Sequence, residues 1–63
     1  MKVLEKEIAR AEKLAEELHG LLGRLVEHSK DYDVERLLKR SEAELMDLRH
    51  NLALVERLLQ ESE

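Results

Sequence analysis

The chain has 63 residues, 41% of them charged, a net charge of −4, and no cysteine, proline, tryptophan or phenylalanine. Without Cys there are no disulfides or thiolate metal sites, and the acidic balance argues against a nucleic acid or an anionic membrane as partner. No apolar run approaches the ~20 residues of a membrane span. The composition reads as soluble, cytoplasmic if natural, or of recombinant expression if designed.

The first predicted element is a helix over about 2–29. Its apolar residues Leu4, Ile8, Ala11, Ala15, Leu18, Leu22 and Leu25 recur at alternating spacings of four and three, which puts them on one helix face. With Ile8 as heptad position a, Ala15 and Leu22 are also a, while Leu4, Ala11, Leu18 and Leu25 are d. Leu14 and Leu21 fall at g, so the stripe is wider than a two-position seam and suits more than one neighbouring helix. Gly20 and Gly23 fall at f and b without breaking the phase. They read as surface glycines, or as a notch where another chain approaches.

A polar linker follows at about 30–33. Asp33 is the expected N-cap of the second helix, with Asp31 as the alternative. With Asp33 as cap, Tyr32 and Leu37 are placed to form a hydrophobic staple. The second helix, about 34–60, carries Val34, Leu38, Ser41, Leu45, Leu48, Leu52, Val55 and Leu59 at a and d, and Leu37 and Leu58 at g. The terminal Glu61-Ser62-Glu63 opposes the helix dipole and is expected to fray.

So short a linker makes the helices antiparallel neighbours. Folding the chain there sets Leu4 opposite Leu59, Ile8 opposite Val55, Ala11 opposite Leu52, Ala15 opposite Leu48, Leu18 opposite Leu45, Leu22 opposite Ser41 and Leu25 opposite Leu38. The expected fold is all-α: an antiparallel two-helix hairpin with coiled-coil-like heptads that oligomerises, in the simplest closed form as a dimeric four-helix bundle. A chain of this size supports only a small core of its own, so Leu14, Leu21, Leu37 and Leu58 are expected across the subunit boundary.

Chemistry-bearing constellations are sparse. Glu16 and His19 have the E-x-x-H spacing found in carboxylate-bridged bundle metal sites, and Glu44 is the expected partner of His19 across the hairpin. The heptad phase turns Glu16 to solvent, so the expected role of His19 is a boundary pair with Glu44, and a His/Glu metal bundle is a remote alternative. Ser29 and Ser41 sit on the stripe with no histidine in reach, which suits a hydroxyl bonded to a carbonyl one turn earlier better than a nucleophile. No catalytic group and no cofactor are expected.

In length, lack of proline and helix-turn-helix layout the chain resembles the Rop-type dimeric four-helix bundle. RNA binding of that type implies basic residues and an aromatic on the outer face of helix 1. Here that face holds Glu12, Lys13, Glu16, Glu17, Gly20, Gly23 and Glu27, so only the architecture carries over. Complete heptads, small residues opposed to Leu and a polar capped linker also resemble a de novo designed helical hairpin, from whose pattern the two glycines and three histidines depart. The expected function is a structural self-assembly module whose partner is itself, a homodimer before a trimer. The competing reading is a small adaptor that presents a helical surface to another helical protein.

Overall fold

The computed structural model describes residues 2–61, with side chains from residue 3 onward. It contains two helices, α1 (Lys2–His28) and α2 (Tyr32–Glu61), packed against each other as a hairpin 49 Å long. Among the described residues no helix is long and apolar enough to cross a membrane. The end of the second helix expected to fray is still helical at Glu61; Ser62 and Glu63 lie outside the described residues.

The turn between the helices is three residues long and is built around Asp31. Its Oδ1 accepts hydrogen bonds from the backbone N–H of Asp33 at 2.8 Å and of Val34 at 3.1 Å. Its carbonyl oxygen accepts one from Glu35 N at 2.9 Å and one from Ser29 Oγ at 3.2 Å. Asp31 is therefore the N-cap, and Asp33 is already inside the helix. α2 accordingly starts two residues before the expected Val34. Tyr32, 78% exposed, becomes the first helical residue and forms no staple with Leu37. On the other side Ser29 N donates to Val26 O at 3.2 Å, closing α1 with a tighter last turn.

The helices meet through a different pair of heptad positions from those the spacing suggests. Ile8, Ala15 and Leu22 of α1 and Leu38, Leu45 and Leu52 of α2, all at a, are buried or half-buried. Beside them lie the e residues Glu5, Glu12, His19 and Val26, with Glu35, Glu42, Arg49 and Glu56 opposite, also half-buried. The d residues expected in the seam, Leu4, Leu18, Leu25, Val34, Leu48 and Val55, are instead 40–53% exposed. Long side chains at e can lay their methylene stems along the apolar layer, although the carboxyl of Glu12 keeps one oxygen shielded from solvent. Of the remaining stripe residues, Ala11 and Ser41 are half-buried, and Ser41 Oγ donates to the carbonyl of Leu37 one turn earlier, at 3.0 Å. Ser29 does not make that bond, its hydroxyl being used by the turn.

Gly20 and Gly23 are both helical, and neither has a positive φ. A β-carbon at Gly20 would lie 3.7 Å from Arg24 Nη1, and one at Gly23 would lie 3.8 Å from Glu42 Oε2. Both are ordinary contact distances, so nothing within the chain requires a glycine at either position.

Two stability changes follow from these observations, both measurable by chemical denaturation. Asp31→Ala is expected to cost about 1 kcal/mol by removing the cap, with Asp33→Ala near neutral. Gly23→Ala is expected to gain about 1 kcal/mol from helix propensity.

Candidate assembly face

Since the seam uses a and e, the d and g positions of both helices point to the same side of the hairpin. In an antiparallel pair, reversing the chain direction and facing the partner together bring these positions onto one surface. Fourteen large apolar side chains are exposed among the described residues, and ten of them are at d or g: Leu4, Leu14, Leu18, Leu21, Leu25, Val34, Leu37, Leu48, Val55 and Leu58. Their exposures run from 40% to 64%, against 6% for Ala15 and Leu45 at the a positions of the seam. Leu14, Leu21, Leu37 and Leu58, placed at the boundary from their heptad position, are among the most exposed of the ten. The surface is apolar along most of its length, with Glu7, His28, Glu44 and Asn51 as polar members at g.

The opposite side is polar and shallow. A groove there is lined by Ala9, Glu12, Glu16, Met46, Arg49, Ala53 and Glu56. Of the exposed apolar side chains off the d and g face, Met46 lines this groove and Leu54 does not.

Two polar pairs cross the seam. His19 Nδ1 lies 2.9 Å from Arg49 Nη1. A guanidinium only donates, so the imidazole accepts through Nδ1 and carries its proton on Nε2. Arg49 thus takes the place expected for Glu44, which is exposed at g. Glu16 is also exposed, so the structure does not gather Glu16, His19 and Glu44 into one site. Among the described residues no group of three or more His, Asp or Glu side chains is placed to hold a metal ion.

The second pair, Glu12 with Glu56, was not singled out from the sequence. Both are at e, and only the a/e seam brings them face to face. Hydrogen bonding to Glu56, then burial, then the charge of Glu56 push the Glu12 carboxyl above its ordinary value. Its Oε1 is shielded from solvent with no donor facing it. A proton on either carboxyl would give the pair a donor that the fully ionised pair lacks.

Comparison with protein-family models, curated proteins and solved structures finds no match to this chain.

The Glu12–Glu56 pair makes stability depend on pH with a definite sign. A carboxyl raised in the folded state stabilises the fold below its unfolded value, and that contribution is lost as pH rises through the folded value. The hairpin is expected to lose stability between about pH 4 and neutrality relative to a Glu12→Gln variant, whose amide donates to Glu56 at any pH. Parallel denaturation curves for the two proteins across that range would contradict this assignment.

Proposed function

We propose that the chain is a self-assembling structural module, in which two hairpins close their d and g faces on each other to form a dimeric four-helix bundle without catalytic activity. Each helix of such a bundle has two neighbours, so it needs one seam within the chain and one between chains, with a and d toward the shared axis. The a/e seam of the hairpin is what that arrangement requires of half a bundle. The observation that carries the reading is the ten-residue apolar surface, because a soluble chain rarely exposes so contiguous a patch unless something covers it. The regularity of both stripes also supports a designed origin.

The size of the face favours a second copy as the occupant. The hairpin as a whole measures 49 Å by 15 Å between α-carbon extremes, so one flat side of it is of the order of the ~800 Å² that each partner contributes to a stable interface. The adaptor reading uses the same face for a helix of another protein, and oligomeric state separates the two.

Sedimentation equilibrium is expected to show a species of twice the 7.4 kDa chain. Replacing Leu14 and Leu21 together by Glu should weaken association at least ~100-fold, since burying each Leu contributes about 1.5–3 kcal/mol and each occurs twice in the dimer. A wild-type chain that stays monomeric and well folded at high concentration would sink the self-assembly reading in favour of the adaptor.

A further inference from the structure

The apolar face and the acid pair lie on opposite sides of the hairpin, and the burial of the chain links them. A single chain has an accessible surface of 5394 Å², whereas a compact protein of its 7.4 kDa mass exposes about 4,200 Å². The excess, about 1,200 Å², is larger than the ~800 Å² that one partner contributes to a stable interface. Among the described residues only Ala15 and Leu45 are buried, and the ten apolar residues at d and g keep 40% or more of their surface exposed. So thin a core does not offset the cost of ordering two long helices, about 1–2 kcal/mol per residue. We infer that the hairpin and its dimer form in one step, and that the Glu12–Glu56 pair thereby acts as a proton-sensitive control on assembly at a face it does not touch. The inference rests on the self-assembly reading and adds its regulation.

The control works by linkage. Glu12 and Glu56 are at e, in the groove opposite the d and g face. A change there reaches the dimer only because a chain that leaves the dimer also leaves the hairpin. A proton that stabilises the seam then stabilises the dimer, once in each chain. The other charged or titratable groups lining the groove are Lys13 and Glu16 from α1 and Arg49 and His50 from α2. Arg49 Nη1 is directed to His19, and none of these groups donates to the shielded Oε1 of Glu12. With both carboxyls ionised, the seam holds two like charges and an oxygen cut off from water and from any donor. Hydrogen bonding to Glu56, burial and the charge of Glu56 hold the Glu12 carboxyl above its ordinary value. Such a group favours the folded, assembled state in acid, and its contribution is lost as pH rises through the folded value.

The test is the dissociation constant of the dimer, measured by sedimentation alongside helix content by circular dichroism, at about pH 4 and at neutrality. On dilution, helix content should fall together with the dimer. Between the two pH values the constant of the wild type should rise at least about tenfold more than that of Glu12→Gln, since a hydrogen bond is lost in each of two chains. Glu56→Gln, whose amide donates to Glu12, should remove the same difference. His19, His50 and the other carboxyls are common to all three proteins, so their titration cancels in the comparison. A dimer that dilutes to helical monomers overturns the control and leaves self-assembly standing, as does a constant that follows pH alike in the wild type and both variants. A wild type that stays monomeric at both pH values and at high concentration overturns the self-assembly reading with it.

Discussion

Asp31 determines how the two helices face each other. Its carboxylate holds the first free N–H groups of α2, and its carbonyl takes both the Ser29 hydroxyl and the first helical hydrogen bond of α2. These bonds fix the rotation at which α2 leaves the turn, and with it the residues that meet α1. The a/e seam, the gathering of d and g on one surface and the apposition of Glu12 with Glu56 are the arrangement found together with this turn. Hydrogen bonds of this kind are individually modest, about 1 kcal/mol net. Here their effect on geometry exceeds their effect on energy.

The hairpin itself was legible because periodicity reports directly on which side of a helix is apolar. The choice of seam was less so. A stripe that includes d, a and g tells how wide the apolar face is, but not which edge meets the other half of the same chain. That depends on the turn, where Asp31 and Asp33 are two residues apart and both are good caps by composition. Moving the cap from one to the other starts α2 two residues earlier, and each residue turns a helix by about 100°. The same uncertainty hid Glu12 with Glu56 and misdirected His19 toward Glu44. Each of these pairings is set by rotation about a helix axis, and residue spacing within one helix contains no term for it.

The seam joins good packing to imperfect polar chemistry. The a layers supply the contact between helices, while the e layers add an acid pair with one shielded oxygen and a neutral histidine held by an arginine. Apolar residues at those sites would make a tighter hairpin. They would also extend the apolar stripe around to the opposite side and give each helix a third adhesive edge. Charged e positions confine the sticky surface to one side, which limits how many ways the hairpin can associate.

The offset between the two stripes has a consequence for chain exchange. Ser29 and Leu38 are both at a but nine positions apart, which is two and a half turns of helix. If the turn straightened into a continuous helix, the apolar stripe of the first half would face away from that of the second. Such a rod could not lay both halves along one side of a neighbour, so an open chain gains no exchanged partner that matches its own second helix. Short, strained hinges commonly let identical subunits trade segments, and in this chain the half-turn offset between the stripes opposes it.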